Sequence, residues 1–304
     1  MNKTTSLEVI TTISQLRRRL AGERAAGKCI GLVPTMGYLH DGHLSLIRRA
    51  RQECDVVVMS LFVNPLQFGA NEDFDRYPRD LERDRALAAE AGVDVLFHPA
   101  VEEMYPQKPS TTVRVHEALT GRLCGRSRPG HFDGVATVVS KLFHIVEPHR
   151  AYFGQKDAQQ LAIIQRMVED LNFPVQIIGC PTVREPDGLA MSSRNVYLSP
   201  EERKIAPLLY RALCHGEAMI RNGETDPEAV VAQVRQQIAQ APQFRIDYVE
   251  LVSFPQLQPL ETIRGTVLLA VAAWLGQTRL IDNVIIDITP QGLDEPGTDE
   301  EGEP

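Results

Sequence analysis

Short apolar runs alternate with segments of helical period along residues 1–180 of the chain. Uninterrupted apolar runs, typical of strands buried on both faces, occupy residues 29–33, 55–63, 93–97, 151–153 and 175–180. The segments with the periodicity of amphipathic helices are residues 43–53, a stretch that ends at Gly92, and residues 132–146 and 157–171. This alternation predicts an α/β fold with a doubly wound parallel sheet, whose ligands bind beyond the carboxyl ends of the strands.

The pattern changes after about Pro186. Two helical segments, residues 202–222 and 227–240, precede the strand-like runs "RIDYVELVSF" and "GTVLLAVAAWLG", so we expect a smaller α+β domain there. We therefore divide the chain into a first domain at residues 1–185, a second at 186–289 and a tail at 290–304. The tail contains six acidic residues and no basic one, and it cannot bury enough apolar surface to offset the entropy of ordering. We expect it to be disordered.

Charge and composition exclude several classes of protein. The formal net charge of -8 lies mostly in the tail, so the rest of the chain lacks the basic face of a sequence-independent nucleic-acid binder. The five cysteines form no C-x-x-C pair, and no apolar stretch reaches the roughly 20 residues of a membrane span. The N-terminus also lacks the apolar segment of a signal peptide. These features predict a reduced, cytoplasmic protein that binds neither nucleic acid nor a membrane.

Two histidines, His40 and His43, lie where a predicted strand gives way to a helix in "VPTMGYLHDGHLSLIRRA". The free N–H groups of a helix N-terminus favour phosphate, and an imidazole can donate to phosphate while it stays close to neutral. Three interpretations are open: the histidines cap the helix, they bind phosphate, or they bind a metal ion. A metal would need a third ligand, and no acidic or histidine partner has the spacing of a known zinc motif.

Three further polar clusters follow predicted strands. Their residues are Asn64 and Gln67 in "SLFVNPLQFG", Lys156, Asp157 and Gln160 in "YFGQKDAQQL", and Ser192, Ser193 and Arg194 in "REPDGLAMSSRN". Taken singly, each cluster also fits a turn or a helix cap. Taken together with the histidines, they bring phosphate donors and uncharged amides to one edge of a sheet. A P-loop and a G-x-G-x-x-G motif are both absent from the sequence.

The same segments resemble those of a known superfamily. "PTMGYLHDGH" is similar to the HIGH motif, and "MSSRN" to the KMSKS-like loop, of the HIGH-type nucleotidyltransferases, which include class I aminoacyl-tRNA synthetases. Within that superfamily, "FVNPLQFG", "RPGHFDGV", "FGQKDAQQL" and "VREPDGLAMSSRN" have the order and spacing of the pantothenate synthetase (pantoate–β-alanine ligase) family. The resemblance covers about residues 30–199. It implies a Rossmann-like first domain that binds ATP and pantoate, and a smaller lid domain.

The resemblance also implies a reaction and its participants. ATP and pantoate would give a pantoyl adenylate and pyrophosphate, after which β-alanine would attack the acyl carbon and release AMP. The protein would be an AMP-forming ligase that uses Mg²⁺ and forms a homodimer. Two rival hypotheses are a nucleotidyltransferase that joins a phosphate ester to ATP, and a non-catalytic scaffold of the same fold. About 110 residues follow the Ser192–Arg194 loop, which leaves little room for the anticodon-binding domain of a tRNA synthetase.

Individual roles follow from the resemblance residue by residue. The implied catalytic residues, which would relieve charge on the triphosphate, are His40, His43, Lys156, Ser192, Ser193 and Arg194. The implied ATP contacts are Pro34, Thr35, Met36, Gly154, Lys156, Asp157, Val183, Met191, Ser192, Ser193 and Arg194. Pantoate would bind Met36, Asn64, Gln67 and Gln160. Arg128 and His131 would lie on the β-alanine or phosphate side, and Asp80 would help to hold the metal ion.

Overall fold

Parallel strands form the first sheet of the computed structural model, which describes residues 7–69 and 72–288. Its strands are β1 (Glu8–Ile10), β2 (Ile30–Thr35), β3 (Val56–Leu61), β4 (Val95–Phe97), β5 (Arg150–Gly154) and β6 (Gln176–Cys180). They are ordered β1-β4-β3-β2-β5-β6, and every neighbouring pair is parallel. The doubly wound sheet is confirmed. The chain reverses its direction of travel across the sheet between β2 and β5, which is the position where such folds bind ligands.

Two strand details differ from the prediction. The sequence does not indicate β1, because this strand has three residues and two of them are exposed. The apolar run at residues 29–33 predicts a strand that ends before Pro34, yet β2 continues to Thr35. β5 pairs with β2 only at Gly31 and Leu32, so the N–H that proline lacks is not required on that side.

Helices cover both faces of this sheet. They are α1 (Ile13–Ala25), α2 (Asp41–Glu53), α3 (Leu81–Ala91), α4 (Val101–Met104), α5 (Glu117–Thr120), α6 (Leu123–Ser127), α7 (His131–Val146) and α8 (Ala158–Asp170). The alternation of side chains along a strand separates two cores. Ile30 and Leu32 pack with α1, α7 and α8, whereas Val33 packs with α2 and α3 on the opposite face.

The remaining part of the described chain forms a smaller α+β unit, as predicted. Its elements are α9 (Pro200–Ile205), α10 (Leu208–Arg221), α11 (Pro227–Ile238), β7 (Phe244–Ser253), β8 (Thr266–Leu275) and β9 (Thr278–Asp287). The three strands are antiparallel in the order β7-β8-β9. The single helix expected over residues 202–222 is two helices, because Pro207 cannot donate the N–H that a continuous helix needs.

The second sheet packs directly on the first unit. One face of β8 lies against α10 and α11, and the other contributes Leu268, Ala270 and Ala272 to the core that contains α7 and α8.

The boundary between residues 185 and 186 stays a prediction. The tail at residues 290–304, predicted to be disordered, lies outside the described residues. Within the described ranges, no helix combines the length and apolar content needed to cross a bilayer.

Candidate active site

A cavity of about 220 Å³ lies beyond the carboxyl ends of β2, β3 and β5. The predicted site residues that line it are Pro34, Thr35, Met36, His40, His43, Asn64, Gln67, Gly154, Lys156, Asp157, Gln160, Val183, Met191, Ser192, Ser193 and Arg194. The structure therefore brings together residues that are up to about 160 positions apart in the sequence.

A larger cavity, of about 950 Å³, lies between the two sheets and shares part of this wall. Lys156, Asp157, Gln160, Ser192 and Arg194 line both cavities. The larger one adds the predicted Arg128 and His131, together with residues of β7 to β9 that sequence reasoning did not select. The two cavities therefore adjoin along these shared residues.

The two histidines cap α2. His40 is the N-cap, and its Nδ1 atom accepts a hydrogen bond from the Gly42 N–H at 3.1 Å. The Nδ1 atom of His43 accepts from the backbone N–H of His40 at 3.3 Å. A neutral imidazole that accepts at Nδ1 carries its proton on Nε2, so each ring still has a donor to offer a ligand. Capping and ligand binding are thus compatible, and the capping interpretation is the one that the structure establishes.

Both histidines are held in the neutral form. Burial, followed by the charges of His43 and Lys156, lowers the pKa of His40 to about 2. Burial also lowers the pKa of His43 to about 4, again with a contribution from the charge of Lys156. Within the described residues, no group of three or more His, Cys, Asp or Glu side chains is placed to hold a metal ion. These rings are therefore suited to donate hydrogen bonds without charge.

We expect acid to destabilise the protein through its buried histidines, His43 and His131. An unfolded histidine has a pKa of about 6.5, whereas His43 and His131 titrate near 4 in the fold, mainly because of burial. Below pH 6.5 the unfolded chain binds protons that the folded chain excludes, so the free energy of unfolding falls with pH until the folded rings titrate too. Urea unfolding between neutral pH and pH 4.5 should show a shallower decline for His43→Gln than for the wild type.

The exposed His215 on α10 supplies the control for that measurement. His215→Gln should keep the decline of the wild type. Identical declines for His43→Gln and the wild type would contradict the interpretation that burial excludes the proton from His43.

Gln67 is oriented by a chain of hydrogen bonds. The Nδ2 atom of Asn64 donates to Gln67 Oε1 at 3.2 Å and to the Gly134 carbonyl at 3.0 Å. The Oδ1 atom of Asn64 accepts from the hydroxyl of Tyr105 at 2.9 Å. Asn64 is only 1% exposed, so its amide is engaged within the protein and positions Gln67. The amide nitrogen of Gln67 is left facing Met36, whose Sδ atom lies 3.2 Å away.

Lys156 lies in a short 3₁₀ segment, Gln155–Asp157, between β5 and α8. The side chain of Asn283 on β9 donates to the carbonyls of Gln155 and Lys156, at 3.0 and 2.8 Å. Within residues 7–69 and 72–288, no carboxylate lies within 4.0 Å of the Lys156 ammonium. Asp157 is exposed and does not cap α8. Lys156 and Asp157 thus present an unpaired cation and an accessible carboxylate to both cavities.

The two predicted arginines are each paired with a carboxylate. Arg194 makes two hydrogen bonds to Asp73, at 2.8 and 2.9 Å, and Arg128 binds Glu72 with an Nε–Oε1 distance of 2.7 Å. These arginines hold the pKa values of both acids below their ordinary value, against the effect of burial. The Nδ1 atom of His131 donates to the Gln67 carbonyl at 2.8 Å. Both guanidinium groups are thus engaged with carboxylates, and their assignment to substrate anions stays a prediction.

The serines of the same loop also have structural partners. The hydroxyl of Ser192 accepts from the Arg194 N–H at 3.2 Å and caps the short 3₁₀ helix Ser193–Tyr197. The hydroxyl of Ser193 is buried and donates to the Tyr38 carbonyl at 3.1 Å. Ser193 therefore fastens this loop to the turn that precedes the histidines.

Asp80 is the predicted site residue that lines neither cavity. Its carboxylate caps α3 by accepting from the Arg83 N–H at 3.1 Å, so the structure gives no support to its assignment as a metal ligand. Asp84, one turn further along α3, has the more direct connection to the site. It is 1% exposed and accepts from the N–H groups of Tyr38 and Leu39, at 2.6 and 2.7 Å. Asp84 thereby holds the turn in which Tyr38 has a φ of 53°.

Comparison with known proteins identifies relatives over nearly the whole chain. The model of the pantoate-beta-alanine ligase family matches residues 8–285. A pantothenate synthetase of Moorella thermoacetica is 61% identical over 282 residues, which are 93% of this chain and 99% of that protein. The pantothenate synthetase of Acetivibrio thermocellus is 59% identical over 282 residues, 93% of this chain and 100% of that protein.

Solved structures agree with these relatives. A crystal structure of pantothenate synthetase from Thermus thermophilus has a TM-score of 0.87 and 53% identity, and covers 91% of this chain and 98% of that one. A pantoate-beta-alanine ligase from Francisella tularensis, complexed with beta-gamma ATP and beta-alanine, has a TM-score of 0.74 and 34% identity. It covers 92% of this chain and 97% of that one.

Proposed function

Because the chain belongs to the pantoate–β-alanine ligase family and condenses pantoate with β-alanine at the expense of ATP, we propose that it does so through a pantoyl adenylate formed in the smaller cavity. The observation that carries this proposal is the convergence of two kinds of group. Neutral imidazole donors and an unpaired ammonium, from His40, His43 and Lys156, lie in the same cavity as the amides of Gln67 and Gln160.

The first step needs alignment and charge relief more than a base. A carboxylate is ionised at neutral pH and can attack the α-phosphate directly, so the protein has to orient it and stabilise the departing pyrophosphate. Amides suit the orienting role, because an arginine paired with the pantoate carboxylate would hold it more tightly and blunt its nucleophilicity. Gln67 and Gln160 would hold pantoate's oxygens, while the imidazoles and Lys156 face the phosphates. Asp157 would accept from a ribose hydroxyl.

The second step takes place on the side of the larger cavity. The amine of β-alanine attacks the acyl carbon of the adenylate, and AMP leaves. Arg128 and His131 line that cavity, and we assign them to the β-alanine carboxylate or the phosphates. Arg128 would exchange its present partner, Glu72, for the substrate anion.

Mg²⁺ would accompany the triphosphate. This ion is commonly held by substrate phosphates with one or two carboxylates, so the site needs no cage of protein ligands. Asp73 lines the larger cavity and can supply such a carboxylate. When bound, the ion would neutralise charge on the phosphates.

The family resemblance supports a homodimer, which a measurement of the molar mass in solution would test. The cysteines of the described residues are free thiols, which fits the proposed cytoplasmic location.

We expect pantoate alone to support exchange of labelled pyrophosphate into ATP. The adenylate forms before the amine is needed, so exchange should not require β-alanine and should be absent with β-alanine as the sole acid. The assay follows label in ATP across a panel of small acids. Exchange that depends on β-alanine would contradict the two-step scheme, and exchange driven by a phosphate ester would favour the rival nucleotidyltransferase.

The variant Gln67→Ala should raise the KM for pantoate and leave the KM for ATP nearly unchanged. The amide contacts pantoate before the reaction starts, so its loss weakens ground-state binding, with some loss of kcat from misalignment. Initial rates at varied pantoate and ATP separate the two constants. The exposed Gln256 supplies a matched control, Gln256→Ala, with unchanged kinetics. An increase confined to the KM for ATP would overturn the assignment of Gln67 to pantoate.

A further inference from the structure

Two cysteine sulfurs are in contact at the end of the first sheet that is remote from the active site. The Sγ atoms of Cys29 and Cys54 are 3.0 Å apart, although the residues are 25 positions apart in the chain. Cys29 directly precedes β2, and Cys54 is the C-cap of α2. We propose that these two thiols form a reversible disulfide bond and are a redox modification site.

The backbone around the two cysteines holds the sulfurs together. The Cys29 carbonyl accepts from the N–H groups of Asp55 and Val56, both at 3.0 Å, and the Cys29 N–H donates to Asp55 Oδ2 at 2.8 Å. Because Asp55 directly follows Cys54, the two side chains start from segments that are already hydrogen-bonded. A Cβ atom at Gly31 would lie 3.0 Å from the Cys54 sulfur. That sulfur is therefore packed against β2 beside Cys29.

The two thiols differ in access, which sets the order of the reaction. Cys54 is 6% exposed and its sulfur also contacts the Tyr152 hydroxyl at 3.5 Å, whereas Cys29 is half-buried. The Cys29 thiolate attacks a small disulfide, breaks its S–S bond and releases one thiolate, which takes up the proton that Cys29 lost. The Cys54 thiolate then attacks Sγ of Cys29 and releases the second thiol. Both cysteines are oxidised, and one reagent disulfide is reduced to two thiols.

The surroundings of Cys29 make the first step slow at neutral pH. Burial, followed by the hydrogen bond to Cys54, raises the pKa of Cys29 to about 12. Since the thiolate is the nucleophile, the rate should rise as the pH rises. The disulfide encloses the whole segment from β2 through α2, including His40 and His43. It joins that segment at the amino end of β2, about 20 Å from the catalytic end, so it should stabilise the protein without changing turnover.

Peptide mapping tests the proposal directly. The full-length protein is incubated with oxidised glutathione at neutral and alkaline pH, free thiols are alkylated, and the protein is digested with trypsin. Cleavage after Lys28, Arg48 and Arg51 releases Cys29 and Cys54 in separate peptides. We expect the two peptides to be found joined, faster at alkaline pH, and to separate again on reduction.

Two variants and two further measurements decide the outcome. Cys29→Ser should abolish the joined peptide, whereas Cys214→Ser, at another half-buried thiol, should leave it intact. The oxidised wild type should have a Tm about 5 °C or more above the reduced protein, because the cross-link restricts the unfolded chain. The oxidised protein should condense pantoate with β-alanine at the same initial rate as the reduced protein. A reaction that stops at glutathione on Cys29, or a cross-link that lowers the Tm, would overturn the proposal.

Discussion

Replacing His43 with alanine is expected to lower kcat by about 10²- to 10³-fold, with little change in the KM for ATP. The ring accepts from the His40 N–H at Nδ1, so its proton is on Nε2, and the residue lines the smaller cavity. Charge on the phosphate oxygens grows as pyrophosphate leaves. A donor to those oxygens therefore binds the transition state more strongly than the bound substrate. Initial rates at varied ATP and saturating pantoate give both constants.

A control for this experiment must account for the role of His43 in capping α2. Alanine at position 43 also removes the acceptor for the His40 N–H, and loss of a helix cap costs about 1 kcal/mol. Asp226 caps α11 by accepting from the Glu228 N–H at 2.9 Å, and it lines neither cavity. Asp226→Ala should lower the Tm by a comparable amount and keep the kcat of the wild type. If His43→Ala keeps full turnover, its role is confined to capping.

Replacing Lys156 with methionine should lower kcat/KM for ATP by about 10²- to 10³-fold, through both constants. Methionine has a comparable length and no charge, so the change removes the ammonium and keeps most of the packing. The ammonium meets the triphosphate in the bound state as well as in the transition state, so, unlike His43→Ala, this variant should also raise the KM for ATP. Steady-state rates and ATP binding by calorimetry measure the two effects separately.

A second lysine-to-methionine change provides the comparison. Lys204 is exposed in the last turn of α9 and lines neither cavity. Lys204→Met alters the net charge of the chain by the same amount and should leave ATP binding and turnover unchanged. Equal losses in the two variants would show that general electrostatic attraction, and not contact with the phosphates, explains the effect of Lys156.

The sequence predicts those parts of the site that have local signals. Apolar runs locate the strands β2 to β6, and polar clusters at their carboxyl ends locate His40, Gln67 and Lys156, because parallel strands bring these ends to one edge. The same reasoning misses Asp84 and Asn283, whose partners are 45 and 127 positions away in the chain. A buried polar residue with a distant backbone partner leaves no periodic trace in the sequence.

Local partners also bear on the assignments of Asp80 and the two arginines. An aspartate before a helix is a capping signal, and for Asp80 that local role is the observed one. The resemblance assigns Arg128 and Arg194 to substrate anions, and in the structure they pair with Glu72 and Asp73. The acidic pair Glu72 and Asp73 can be seen in the sequence between a strand and a helix. Its partners cannot, because they depend on how this loop folds over the site.

The two hydrogen bonds from Asn283 limit which segments of the chain can be exchanged with those of a relative in a chimera. They fix the carbonyls of the Lys156 segment to β9. A displacement of about 1 Å in a catalytic group can cost roughly 10²-fold in rate. A chimera that joins the first sheet of this chain to the antiparallel sheet of another member must therefore keep a side-chain donor at position 283. Recombination between the two units therefore depends on the amide of Asn283.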